Sequence, residues 1–192
     1  MKEFALHILD IAENSQRAGA TELFIGLELE LKTGALRMEI ADNGRGMDEE
    51  AVKSVTSPFF TSREVRKVGL GIPLLKQHAE LTGGEVIISS VEGEGTRIVG
   101  IFNVKHPDMQ PLGDLAGCWY MIASGNPEVN VIINCSTTFN KFELSSVEIL
   151  QELGKDAFRG NENKKLLLSL ISNNLKEIGF TWSSVEKEKK NS

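Results

Sequence analysis

The sequence predicts an α+β protein, and three observations predict it. A helical run occupies residues 4–17. Two pairs of alternating apolar segments, each joined by a glycine turn, read as hairpins. Beyond residue 107 the pattern changes to helix, two strands and further helices. With 192 residues, 41% hydrophobic and 25% charged, the chain can bury one ample core, or one domain with a smaller second unit. A net charge of −6 argues against a nucleic-acid partner, which needs a basic face. No run reaches the length of a membrane span and no signal peptide opens the chain, so the expectation is a cytoplasmic protein. Cys118 and Cys135 form no CxxC spacing and are expected buried and reduced.

In the first helix, Phe4, Leu6, Ile8, Leu9, Ile11 and Ala12 recur at helical spacing and Gly19 ends the run. Asp10 and Asn14 lie four apart and emerge on one face. A carboxylate there can take a proton and an amide oxygen can ligate Mg²⁺, with Arg17 one turn on as a phosphate contact. A solvated polar face with a local pair is the alternative. Residues 21–31 alternate as a strand, Thr33-Gly34 turns, and residues 36–41 form the return. That strand ends in Asp42-Asn43-Gly44-Arg45-Gly46-Met47. Asp42 can accept hydrogen bonds from a flat amine-bearing ring while Gly44 and Gly46 let backbone approach it, although Asp-Asn-Gly is also turn chemistry.

Asp48-Glu49-Glu50 starts a helix to about residue 54. Ser57-Pro58-Phe59-Phe60-Thr61-Ser62-Arg63 reads as a mobile cover or as a loop pinned by its aromatics. Val68-Gly69-Leu70-Gly71-Ile72 opens a helix to about residue 81, with Pro73 in its first turn and backbone amides suited to an anion. Gly83-Gly84 stops it. Residues 85–90 and 97–104, turned by Gly93-Glu94-Gly95-Thr96, make the second hairpin. Further on, residues 111–124 read as a helix, 129–136 and 139–144 as strands turned near Thr137-Thr138, and 145–153 as a helix. A last helix, 164–178, carries Leu166, Leu167, Leu170, Ile171 and Leu175 on one face. The expected organisation is a domain over 1–106, a small accessory unit over 107–182, and a charged, disordered tail over 183–192.

Four blocks in this order resemble the Bergerat-fold (GHKL) ATP-binding domain of type II topoisomerases, heat-shock chaperones, sensor histidine kinases and mismatch-repair ATPases. Asp10 to Ala20 resembles the N box, in its mismatch-repair form. Asp42 to Met47 resembles the G1 box and Ser57 to Ser62 the F box of sensor kinases. Val68 to Ile72 and Gly93 to Thr96 resemble the G2 box and the closing Gly-x-Gly-Thr. The resemblance implies a two-layer α/β sandwich, a mixed sheet covered by helices on one face, with ATP and Mg²⁺ as ligands. Asn14 would hold Mg²⁺, and Asp42 would read the adenine amino group with Thr96 helping through a water. Gly44, Gly46 and Met47 would line the adenine. Phe60 and Thr61 would cover the nucleotide, and Gly69, Leu70 and Gly71 would follow its phosphates. Asp10 stands where many members carry a glutamate general base, one methylene longer.

The lid between Thr61 and Val68 supplies Arg63, Arg66 and Lys67 for a γ-phosphate. His7, His78 and His106 lack the helical-hairpin setting of a sensor-kinase phosphoacceptor and are expected to be structural or surface residues. The resemblance therefore implies a kinase acting on a partner in trans or, alternatively, an ATP-driven switch or slow ATPase. A protein partner would meet the lid or the C-terminal unit, and relatives often form homodimers. Pro111-Leu112-Gly113-Asp114 and the overall layout also resemble short ATP-binding proteins encoded beside iron-only hydrogenases.

Overall fold

A computed structural model describes residues 2–56 and 71–187. The elements run α1 (Phe4–Arg17), β1 (Glu22–Leu29), β2 (Ala35–Asp42), α2 (Glu49–Thr56), α3 (Gly71–Leu81), β3 (Val86–Val91) and β4 (Gly95–Asn103). They continue with α4 (Leu115–Gly125), β5 (Asn130–Thr137), β6 (Lys141–Ser145), α5 (Ser146–Leu153), α6 (Asn161–Glu177) and α7 (Trp182–Lys187). The six strands form one mixed sheet in the order β3-β4-β2-β1-β5-β6, antiparallel except for β1 beside β5.

Alternation sorts the sheet into two faces. Leu23, Ile25, Leu27 and Leu29 of β1, with Leu36, Met38 and Ile40 of β2 and Val131, Ile133 and Cys135 of β5, are buried in one core with α1, α3 and α4. Each such large side chain contributes about 1.5–3 kcal/mol by leaving water. On the other face Arg37 pairs with Glu28 and Glu39, and Arg97 with Glu39. Helices thus cover one face and a ladder of ion pairs lies on the other, as a two-layer α+β sandwich requires.

The boundary expected at residue 106 does not interrupt the sheet. β5 adds parallel to β1, from Glu22 opposite Asn130 to Leu29 opposite Thr137, so residues beyond 107 share the sheet and the core. Residues 111–114, expected to open a helix, instead form a joint. The Pro111 and Leu112 carbonyls accept from the Phe4 and Ala5 amides at 2.9 Å, satisfying donors that the first turn of α1 cannot. Asp114 then caps α4, accepting from the Gly117 amide at 2.8 Å, which is why that helix begins at Leu115.

Two further expectations change. In α6 the buried stripe is Leu167, Ile171 and Leu175, while Leu166 and Leu170 are exposed: the i,i+4,i+8 set fits the core and its neighbours lie off that axis. Residues 183–187, expected disordered, belong to α7. Val185 is buried there and Trp182 Nε1 donates to the Gln110 carbonyl at 2.8 Å, so apolar anchors precede the charged stretch. The remainder of that tail, 188–192, lies outside the described residues.

The histidines behave as the sequence suggests. His7 and His78 are buried and stacked with ring centroids 5.5 Å apart, and Gln110 bridges them: its side-chain oxygen lies 3.1 Å from His7 Nε2 and its backbone N–H donates to His78 Nε2 at 3.2 Å. Burial first, then the neighbouring His78, lowers the His7 pKa to about 4, and burial lowers that of His78. Both cysteines are buried and free, and burial pushes the Cys118 thiol up to about 12.

Candidate functional site

At the end of the sheet where β2 stops, a cavity of about 590 Å³ opens between α1, the loop after β2, and the β3–β4 turn. Asn14, Ser15, Arg17, Asp42, Gly46, Met47 and Thr96 line it with Ile11, Ile72 and Ile98, giving apolar walls and a few convergent polar groups.

Asp42 is the fixed point of this cavity. Its Oδ1 accepts from the Gly44 amide at 2.9 Å and its Oδ2 from the Ser15 hydroxyl at 2.6 Å. Each oxygen keeps a second lone pair, so the carboxylate is aimed yet still able to accept. Asn43 clasps the loop to the start of β1. Its Oδ1 accepts from the Thr21 and Glu22 amides at 2.9 Å each, and its Nδ2 donates to Thr21 Oγ1. The Arg45 amide donates to the Ala18 carbonyl, and the Arg45 carbonyl accepts from the Gly93 amide at 2.7 Å. The loop is therefore tied to α1 on one side and to the β3–β4 turn on the other.

The glycines make that tight fit possible. Gly46 has φ +64° and a Cβ there would run into the Val91 carbonyl oxygen. A Cβ on Gly44 would lie 3.0 Å from Asp42 Oδ1 and 3.1 Å from the Ala18 side chain.

Thr96 stands opposite Asp42 in β4, and Ser90 opposite Thr96 in β3. Ser90 Oγ accepts from the Met47 amide at 2.8 Å and can donate to the Gly95 carbonyl at 2.9 Å. The 2.9 Å contact between the Ser90 and Thr96 hydroxyls, in which either oxygen can donate, holds Thr96 on the cavity wall, and in either sense the Thr96 oxygen keeps a lone pair.

One residue before Asp42's partner Ser15, Asn14 lines the same cavity. Its Nδ2 is buried without a partner among the described residues, and its Oδ1 receives only a 3.4 Å contact from Arg17. Arg17 lies at the mouth, two-thirds exposed and paired with Glu13 at 2.8 Å. Asp10 is not among the described residues that line the cavity, and its carboxylate packs against Gly71 at the start of α3. Phe60, Thr61, Gly69 and Leu70, with the lid cations Arg63, Arg66 and Lys67, lie outside the described residues.

Sequence reasoning missed Ser15 and Ser90. A signal for Ser15 exists: it continues the buried run Ile8, Ile11, Ala12 at core spacing, and a serine there needs a partner. Ser15→Ala is expected to weaken nucleotide binding about tenfold, the worth of one hydrogen bond to a charged group. A fluorescence titration with an ATP analogue measures it, and unchanged affinity would show that Asp42 is held without Ser15.

Residues 3–107 match the model of the histidine kinase-, DNA gyrase B- and HSP90-like ATPase family. The chain belongs to that family. Its ATP-binding, histidine-kinase-like ATPase domain carries the cavity. Among relatives, a sensor-like histidine kinase of Rhizobium meliloti is 35% identical over 80 residues, 39% of this chain and 15% of the relative. Sporulation kinase D of Bacillus subtilis is 30% identical over 96 residues, 48% of this chain and 19% of the kinase. The chain thus spans less than a fifth of the length of these relatives. The crystallised N-terminal domain of a DNA repair protein shares the fold of the ATPase domain, with TM-score 0.55 and 15% identity. That likeness covers 83% of this chain and 59% of the other, and so extends past residue 107.

Proposed function

We propose that this chain binds Mg²⁺-ATP in the cavity above Asp42 and passes the γ-phosphoryl group to a partner protein. The observation that carries the nucleotide assignment is the Asp42 carboxylate, held by Ser15 and Gly44 with lone pairs left toward the cavity. Such a group accepts from the exocyclic amine of adenine and repels the carbonyl of guanine. Met47, Ile72 and Ile98 supply apolar surface for the ring, and a Thr96 lone pair takes a bridging water.

Asn14 fits a metal carried by the nucleotide. Its amide oxygen is a hard donor on the cavity wall, and no group of three His, Cys, Asp or Glu able to hold a metal by itself occurs among the described residues. Mg²⁺, when bound, screens the β- and γ-phosphate oxygens.

The setting of the histidines supports the reading of transfer in trans. His7 and His78 are buried beside Gln110, and none of the three histidines lines the cavity. The acceptor would then be a side chain of another protein, reached at the C-terminal segment or the lid. In that reaction the bond from the γ-phosphorus to its bridging oxygen breaks, ADP leaves, and the acceptor gains the phosphoryl group. The kinase relatives support this reading. A second reading, an ATP-driven switch, is favoured by one observation: Gln110 ties α1 and α3 to the segment beyond residue 106.

The test is incubation with γ-labelled ATP and Mg²⁺, alone and with proteins captured on the chain. Label on a captured protein is expected. Free phosphate alone means an ATPase, and neither product with intact binding means a switch. In parallel, Asn14→Ala is expected to make analogue binding independent of Mg²⁺; retained dependence would place the metal elsewhere.

A further inference from the structure

Asp10 packs against Gly71, beside the nucleotide cavity and not among the described residues of its wall. It lies on α1, one turn before Asn14, where its side chain meets the first residue of α3. A Cβ on Gly71 would fall on Asp10 Oδ2 and lie 2.8 Å from Cγ, so the carboxylate occupies the space that a side chain at position 71 would need. Oδ2 is buried and has no hydrogen-bond partner among the described residues. Asp10 is absent from the described residues lining the cavity, although Asn14 on the same helix lines it.

Two physical points follow. A general base must come within hydrogen-bond reach of the attacking water, and this side chain is directed at the backbone of α3. A negative charge beside the first turn of an α-helix is favourable, because the amides there lack intrahelical acceptors. Aspartate and glycine are also matched in size: each leaves the room that the other takes.

We propose that Asp10 is a positioning residue that seats the start of α3 on α1. It thereby fixes the distance between Asn14 and the glycine-led helix start, the two sides between which the phosphates would lie. The proposal rests on the nucleotide reading above and sharpens it. A protein whose carboxylate at this position braces a helix would hydrolyse bound ATP poorly and keep it for transfer or for a conformational signal.

A double-mutant cycle in the full chain tests this, with Asp10→Ala, Gly71→Ala and the pair. Affinity for a fluorescent ATP analogue with Mg²⁺ is the first readout, thermal melting the second and phosphate release the third. Each single variant is expected to weaken binding about tenfold, and the pair to be no weaker than the weaker single, because removing the carboxylate makes room for the added methyl. The isosteric Asp10→Asn is expected to raise KM for any phosphate release and leave kcat and its pH profile unchanged. Effects that multiply in the pair overturn the proposal. So does Asp10→Asn with unchanged affinity and about a hundredfold lower kcat, the signature of a base. Should Gly71→Ala fail to fold, its recovery by added Asp10→Ala supports the contact and failure to recover refutes it. If the unaltered chain binds no analogue, the nucleotide reading falls by itself. The cycle is then decided on melting temperatures, where non-additive losses support the brace and additive losses refute it.

Discussion

Asp42→Asn abolishes binding of a fluorescent ATP analogue, an expected loss of at least about a hundredfold in affinity. The carboxylate now accepts from two donors at once, the Gly44 amide at 2.9 Å and the Ser15 hydroxyl at 2.6 Å. An asparagine has one acceptor oxygen. With its NH₂ toward Gly44 two donors face each other; with its NH₂ toward Ser15 the hydroxyl must turn to the Ile11 carbonyl, and a single acceptor oxygen is left for Gly44 and the adenine amine. The negative charge that strengthens those bonds is lost as well. Asp42 is the last residue of β2 and only half-buried, so the fold should survive; an unchanged melting temperature separates lost recognition from lost structure. Full affinity in this variant would mean that adenine is read elsewhere.

Gly46→Ala has the second largest expected effect, and it acts through the backbone. At φ +64° an L-residue is strained, and the new methyl would collide with the Val91 carbonyl oxygen, which no side-chain rotation can move. The loop must withdraw from β3. That motion breaks the bonds from the Met47 amide to Ser90 and from the Gly93 amide to the Arg45 carbonyl. The cost is about 2–3 kcal/mol, a fall of roughly 5–10 °C in melting temperature for a chain of this size. Analogue affinity should drop with it, because Met47 and Gly46 both line the cavity. An alanine variant that melts and binds like the parent would show that the loop has room to spare.

These two residues also show how much of the site the sequence carries. Asp42 and Gly46 lie in one short loop after an alternating strand, and the roles proposed for both follow from neighbours in the chain: a carboxylate at a strand end and glycines where backbone must come close. Asn14 was legible for a related reason, because i,i+4 spacing from Asp10 defines one helix face. The same spacing says nothing of Gly71, which has no Cβ and so leaves room for the Asp10 carboxylate beside it. Ser15 left only the trace of a polar residue on a buried stripe and Ser90 left none, because their partners, Asp42 and Met47, lie 27 and 43 positions away.

By itself the sequence determined most of the helices, all six strands and the two glycine hairpins through periodicity and turn residues, and four motif blocks carried the resemblance to the ATP-binding family. Only the tertiary structure decided that the residues past 107 extend the same sheet, with β5 laid parallel on β1. A parallel neighbour is chosen by long-range register and a shared core, and no local pattern encodes it. The tertiary structure also decided which polar groups meet. Ser15 aims Asp42, Ser90 meets Thr96, and Gly71 receives Asp10, each through a hydrogen bond or a close contact that exists only once distant strands and helices have come together.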